Sequence, residues 1–207
     1  ATGTGHTALA FAPYVIQVVA TDITPEMLEQ AQQLAKKRGV QNVVTETADA
    51  EALPYETGSF DLVTCRIAPH HFGDVSRFIS ESARVLRSNG LLAIVDTLVP
   101  PGSAGDYINA FEKLRDPSHG RCLTVAGWTA ALQIAGLSLI KQETLNKRLN
   151  FNFWAKRHDE NMRSYLLSML REGSIQTVEL LQPKNESDSI TFRLREGLFV
   201  ARKTTVG

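Results

Sequence analysis

The residues most able to do chemistry in this chain open it. Ala1-Thr2-Gly3-Thr4-Gly5-His6-Thr7-Ala8 is followed by the run Val18-Val19-Ala20-Thr21-Asp22. Gly3 and Gly5 suit a tight turn that lets backbone approach a ligand, because glycine alone takes φ > 0 and close contact without steric cost. Asp22, closing an apolar strand, is placed to accept hydrogen bonds from two ribose hydroxyls. A glycine pair, a helix and a strand ending in Asp form the front half of a nucleotide site. The same residues also suit an ordinary glycine turn with an Asp capping the next helix. Two further clusters carry imidazoles, which change charge near neutral pH. They are Pro69-His70-His71-Phe72 and Asp116-Pro117-Ser118-His119-Gly120-Arg121. Each can equally be a structural turn with its imidazole tied to backbone. No HxxxH or HxH spacing supports a metal, so none is expected.

The bulk composition narrows the partners. The 207 residues carry 22 basic and 22 acidic side chains, so no basic stripe for nucleic acid and no acidic tail stands out. The length suits one domain with a large core. Cys65 and Cys122 share no CxxC spacing, which argues against a disulfide framework or zinc site and makes a reducing cytoplasm the default. No apolar run reaches the length of a membrane span, and no signal peptide is visible.

The elements that must hold these residues alternate. Thr7 to Tyr14 reads as a short helix ended near Pro13, and Val15 to Thr21 as a buried parallel strand. Thr24-Pro25-Glu26 starts a helix, with Thr24 as N-cap, and Lys36-Lys37-Arg38-Gly39 ends it. Val43 to Thr47 is a strand, and Phe60 to Cys65 another. Asp74 caps a helix from Val75 to Leu86, Ser88-Asn89-Gly90 turns, and Leu91 to Val95 is a buried strand. This alternation requires an α/β fold with a Rossmann-like, doubly wound, mostly parallel sheet. A glycine loop of this kind needs a strand in front to aim it, so a helix and a first strand are expected to precede Ala1, outside the chain.

After Leu98 the pattern changes. Pro100 to Gly105 reads as a flexible link, Asp106 to Leu114 and Val125 to Ala135 as helices, and Leu137 to Thr144 as a strand. Asn150 to Glu172 reads as largely helical, and Ile190 to Lys203 as a final strand. Two terminal strands around a helical excursion suggest a closing antiparallel hairpin. Phe151, Phe153, Trp154 and Tyr165 recur at helical spacing, which favours core over an acceptor pocket.

Placed together, these pieces resemble the class I S-adenosylmethionine-dependent methyltransferases, near the ubiquinone/menaquinone C-methyltransferases. The motifs are ATGTGHT, VVATDITPEML, TADAEALPYETGSFDLVTCR, APHHF and ARVLRSNGLLAIVD. Ala1 stands where the family's first glycine is usual, and its acidic residue would precede Ala1. The resemblance implies S-adenosylmethionine as methyl donor, S-adenosylhomocysteine as product and a small-molecule acceptor. It places Gly3 and Gly5 along the donor's backbone and Asp22 on the ribose. Ile23 and Met27 would pack against adenine, Asp49 with the backbone of Ala50 would read its amino edge, and Arg66 would lie beside the methionine portion. It also implies one methyltransferase domain over residues 1–207, with small helical lid insertions at 100–124 and 150–188.

Methyl transfer from a sulfonium is an in-line displacement, so a base is needed only if the acceptor must first lose a proton. His71 and His70 are best placed for that, with His119 in the region where the family builds its lid. His119 and Arg121 could bind an anionic acceptor or simply pin a loop. A NAD(P)-dependent oxidoreductase is the competing reading, since Gly3-Thr4-Gly5-His6-Thr7-Ala8 also satisfies G-x-G-x-x-A. Against it, no Tyr-x-x-x-Lys pair is present. A cofactor-binding domain without turnover is a third reading. A monomer or homodimer is expected.

Overall fold

The computed structural model describes residues 1–186 and 189–204. The first half holds α1 (His6–Phe11), a 3-10 turn (Ala12–Tyr14), β1 (Val18–Asp22), α2 (Pro25–Lys37), β2 (Val43–Thr47) and β3 (Phe60–Arg66). A second 3-10 turn (Pro69–His71) leads to α3 (Val75–Val85) and β4 (Leu86–Leu98). Then come α4 (Ser103–Arg115), α5 (Val125–Ile134), β5 (Leu137–Asn150), α6 (Phe151–Trp154), α7 (Glu160–Glu172) and α8 (Ile175–Leu181). Strands β6 (Lys184–Glu186) and β7 (Ser189–Lys203) close the chain.

The class is the α/β, Rossmann-like one, with a mixed sheet whose parallel pairs lie in the first half and antiparallel pairs in the second. β1 runs parallel to β2, from Val18 opposite Val43 to Asp22 opposite Thr47. β3 runs parallel to β4, β7 lies antiparallel to both β4 and β5, and β6 pairs with β7. The expected single doubly wound sheet is divided: the order is β1-β2 in one part and β3-β4-β7-β5 in the other. Among the described residues no strand pairing joins the parts. The terminal hairpin is present as expected, with β5 and β7 paired from Leu137 opposite Lys203 to Asn150 opposite Thr191.

Apolar periodicity explains the packing. α3 turns Phe78, Ile79 and Ala83 onto a core with Leu92, Ile94 and Trp128. A second core forms where α4, α6, α7 and α8 bring Phe111, Phe151, Leu166, Leu170 and Leu181 against Phe192. β7 serves both, through Phe199 in the first core and Phe192 in the second. Of the aromatic stripe, Phe151 and Trp154 pack in this second core, Trp154 stacked 4.7 Å from Phe111. Phe153 and Tyr165 are exposed instead.

Other expectations shift. α3 passes directly into β4, whose range takes in Ser88-Asn89-Gly90. These residues still turn within it: Asn89 is left-handed, φ 64°, and the pairing with β3 shifts register there, from Phe60 opposite Leu86 to Leu62 opposite Leu91. The region 150–172 is largely helical as expected, in two helices separated by residues 155–159. The last two residues of the expected 150–188 insertion, Ser187 and Asp188, lie outside the described residues. Thr24 is the N-cap of α2, but its hydroxyl makes no capping bond; Asp74 does cap α3, accepting from the Ser76 and Arg77 amides.

Candidate functional site

The glycine turn sits on the tip of β1. Thr2 N–H donates to Thr21 O at 2.7 Å, and Gly5 N–H closes the turn onto Thr2 O at 3.0 Å. Both glycines have positive φ, 53° at Gly3 and 81° at Gly5. They differ in surroundings. A side chain at Gly5 would meet Ala31 Cβ at 2.9 Å, so Gly5 lets α1 lie against α2, whereas a side chain at Gly3 would enter open space. The loop therefore offers bare backbone outward at Gly3 and packing inward at Gly5.

Asp22 ties this turn to its strand. Its Oδ2 accepts from Gly3 N–H at 2.8 Å and its Oδ1 from Thr24 N–H at 3.0 Å. The residue is only 7% exposed. Each carboxylate oxygen has a second lone pair, so accepting a further hydroxyl remains chemically open. Beside it Ile23 is 68% exposed, a bare apolar side chain at a strand tip, and Met27 is half-buried on α2. Asp49 uses Oδ1 on the Glu51 amide at 2.8 Å, the local turn its sequence also suits, while Ala50 packs against the first core. Arg66, at the end of β3, donates from Nε to Thr7 Oγ1 at 3.2 Å and so ties that strand end to α1.

A few residues past Arg66, the structure gathers the three histidines from two clusters. Ring centroids lie 4.2 Å apart for His70 and His71, 5.3 Å for His70 and His119, and 6.4 Å for His71 and His119. The loop after α4 is laid across the histidine turn by Gly120 N–H and Arg121 N–H, both donating to His70 O, at 2.7 and 3.1 Å. Each ring has a different partner. His70 Nδ1 lies 2.5 Å from Asp96 Oδ1 in a buried pair. His71, exposed, bonds through Nδ1 to Ser118 Oγ at 3.1 Å, and that hydroxyl donates to Asp116 Oδ1 at 2.6 Å. His119 is 2% exposed, its Nε2 3.0 Å from Asn109 Oδ1, which also accepts from Cys122 N–H. Burial, helped by the neighbouring His70 and His71, pushes the His119 imidazole down to about 4. It is neutral at pH 7 and held to Asn109. Arg121 turns outward to an exposed ion pair with Asp106 at 2.9 Å.

The histidine turn and the glycine loop follow strand ends, those of β3 and β1. Cys65, the last buried residue of β3, lies between their charges: burial pushes its thiol up to about 12, the N-terminal amine pulls it back, and Asp96 and Asp22 raise it. Both cysteines are free. Asp96 itself escaped the sequence reading, although LLAIVD ends in an acid after an apolar run just as VVATD does. Glu112 is a second missed acid: burial raises its carboxyl against the pull of Arg115, and its Oε1 has no partner. Among the described residues no group of three or more His, Cys, Asp or Glu is arranged to hold a metal. The larger surface groove, about 840 Å³ between α7 and the β6–β7 hairpin, shares no residue with either cluster.

The sequence and the fold match known proteins. The methyltransferase domain family matches residues 1–94. YcgJ of Bacillus subtilis, an uncharacterized methyltransferase, is 40% identical over 156 residues, which is 75% of this chain and 62% of that protein. Its crystal structure aligns over 99% of this chain and 89% of its own, with 33% identity and a TM-score of 0.93. The chain belongs to the class I S-adenosylmethionine-dependent methyltransferases. The 27-O-demethylrifamycin SV methyltransferase of Amycolatopsis mediterranei is 33% identical over 170 residues, 81% of this chain. The chain spans about 60% of the length of these two methyltransferases. Family membership sets aside the dinucleotide oxidoreductase reading of the same glycine pair. No described helix is long and apolar enough to cross a membrane.

Proposed function

We propose that this chain transfers the methyl group of S-adenosylmethionine to a small-molecule acceptor and releases S-adenosylhomocysteine. The observation that carries the reading is the Asp22 carboxylate at the tip of β1, bonded to a glycine turn that faces open space at Gly3. Those residues fit an adenosyl ligand. Gly3 leaves room for it beside the turn that Gly5 shapes, Asp22 keeps lone pairs for ribose hydroxyls, and the exposed Ile23 with Met27 gives adenine an apolar face. Asp49, with the backbone of Ala50, is assigned the adenine edge, and Arg66 the methionine portion.

When bound, the donor supplies an electrophilic methyl on sulfonium sulfur. The chain's contribution is then to hold the acceptor in line and keep water away. We place the acceptor against the histidine cluster of His70, His71 and His119, because that cluster lies at the same strand ends where open parallel sheets collect ligands. A small-molecule acceptor agrees with the rifamycin-acting relative and with the balanced charge, 22 basic against 22 acidic residues.

Calorimetric titration with S-adenosylhomocysteine and, separately, NAD tests the reading. Saturable binding of S-adenosylhomocysteine, weakened by Asp22→Ala, with no heat from NAD is the expected outcome. No binding of S-adenosylhomocysteine would reject it.

A further inference from the structure

Strand β5 is the outer edge of its part of the sheet. It pairs with β7 on one side from Leu137 to Asn150, and among the described residues no strand pairs with its other side. From Ile140 to Arg148 every residue is exposed, the apolar Leu145 at 46% among them. The register with β7 shifts between Leu139 and Lys141, and beyond that point the ladder is regular to Asn150. A long uncovered edge presents a row of backbone N–H and C=O groups ready to pair, which folded proteins ordinarily blunt. Here the register shift blunts the first end only. Lys141, Lys147 and Arg148 repel an incoming strand only where they meet like charge, and Glu143 stands among them.

We propose that this edge joins a second copy of the chain, β5 against β5, across a twofold axis at Leu145. Twofold pairing is the commonest way for identical chains to close an interface, and across an axis normal to the sheet the two strands run antiparallel. Residues directly opposite then either both turn their N–H and C=O toward the neighbour or both turn them away. The two states alternate along a strand, so an axis falls on a residue and never between two. Charge selects which residue. An axis at Glu143 sets that carboxylate against its own copy, one at Thr144 sets Lys141 against Lys147, and one at Lys147 sets that ammonium against its copy. An axis at Asn146 brings no opposite charges together. An axis at Gln142 faces Lys141 with Glu143 but meets the register shift just past Lys141. Only the axis at Leu145 combines a regular ladder, from Lys141 opposite Leu149 onward, with Glu143 opposite Lys147 on both sides. It also covers Leu145 with its own copy. Opposite charges at facing positions favour a strand pair and like charges oppose it.

The side chains already in place suit this pairing. Lys141, Glu143, Leu145 and Lys147 share one face of the strand by its period of two. Lys141 Nζ lies 3.0 Å from Glu143 Oε1, and Lys147 Nζ 2.8 Å from Glu196 Oε1 on β7. Pairing at Leu145 links these short bridges into one alternating run: Lys141 and Glu143 of one copy, then Lys147 and Glu196 of the other. The opposite face carries Gln142, Thr144 and Asn146, which hydrogen-bond without charge, and sets Arg148 against Gln142. This surface shares no residue with the glycine turn or the histidine cluster, so it stands or falls separately from the methyltransferase reading.

Sedimentation equilibrium of the 207-residue chain over a concentration series tests the proposal. The mass is expected to rise from 22.8 kDa to a plateau at twice that value. Glu143→Lys alone sets two lysine pairs face to face, and Lys147→Glu alone sets two glutamate pairs. Each is expected to raise the dimer dissociation constant by about tenfold or more. Mixed in equal amounts, the two variants meet with opposite charges at both positions, and the mixture is expected to dimerise again. That recovery separates a broken interface from a misfolded chain. A wild-type mass that stays at one chain or climbs past two without a plateau overturns the proposal. So does a dimer that either variant leaves intact, or a mixture that associates no better than the variants alone.

Discussion

The two ends of the site are held by different kinds of bond. At the glycine turn, Asp22 reaches the amides of Gly3, 19 residues back, and Thr24, two residues on. Both partners are backbone. At the histidine turn the bonds join side chains: His70 to Asp96 across 26 residues, His71 to Ser118 across 47, and His119 to Asn109 across 10. A backbone amide is present whatever residue supplies it, so the first end depends on chain path and on two glycines. The second depends on the identity of at least six side chains from a strand, a helix and two loops. The same contrast runs through the sheet, parallel at the glycine-turn end and antiparallel beyond β4.

The largest effect expected from breaking this contrast falls on the two glycines. Gly5→Ala places a Cβ 2.9 Å from Ala31 Cβ at a residue with φ 81°. Backbone strain and overpacking together are expected to lower stability by about 2–4 kcal/mol. Gly3→Ala carries the positive φ but meets open space, so about 1 kcal/mol is expected. Paired denaturant titrations check this. Equal losses would mean that α1 does not rest on Ala31 as closely as the structure has it.

Next in size is Asp22→Ala, expected to weaken S-adenosylhomocysteine binding by about 1–3 kcal/mol, the range for losing hydrogen bonds to a charged group. Because Asp22 also holds Gly3 and Thr24, loop order is expected to fall with affinity, read as faster amide exchange at Gly3. Unchanged affinity on calorimetric titration would remove the ribose assignment while leaving the structural tie.

The glycine-turn end was legible in the sequence because its signals are local. Glycines of positive φ, an acid closing VVATD and a helix start at Pro25 all lie within a short stretch of chain. The fold class followed from the same alternation. What failed did so where a partner decides the outcome. β5 continues to Asn150 past the expected Thr144 because β7 lies beside it throughout; its exposed polar residues offer no alternation to read. Two adjacent histidines were conspicuous, but neither Asp96 nor the docking of His119 onto Asn109 follows from spacing. The division of the sheet between β1 and β3 is likewise invisible in any single segment.

A further effect belongs to pH. His119 is held to about 4 in the folded chain, below the ordinary value near 6.5 that it has when unfolded. Above pH 6.5 both states are neutral there and stability is unaffected. As pH falls from 6.5 toward 4 the unfolded chain takes up the proton first, so the native state loses stability, by about 3 kcal/mol at this one residue. His119→Gln is expected to flatten that part of the stability–pH curve. An unchanged slope would show the ring to be protonated in place.

The smallest expected effect marks where the site ends. Arg121 stands in the same polar cluster as Ser118 and His119, and its guanidinium could have met an anionic acceptor. Instead it pairs with Asp106 at 2.9 Å, with the two side chains 66% and 63% exposed. Exposed pairs of this kind contribute about 0.2–1 kcal/mol and are screened by salt. Arg121→Ala is therefore expected to change the melting midpoint slightly, less still at high salt, and to leave methyl transfer at the wild-type rate. The loop keeps its place in that variant, because Lys113 Nζ still bonds the Pro117 and His119 carbonyls and Gly120 N–H still bonds His70 O. A loss of transfer with no change in melting would put Arg121 in contact with the acceptor, move the boundary outward from the buried histidines, and favour an anionic compound over a neutral one.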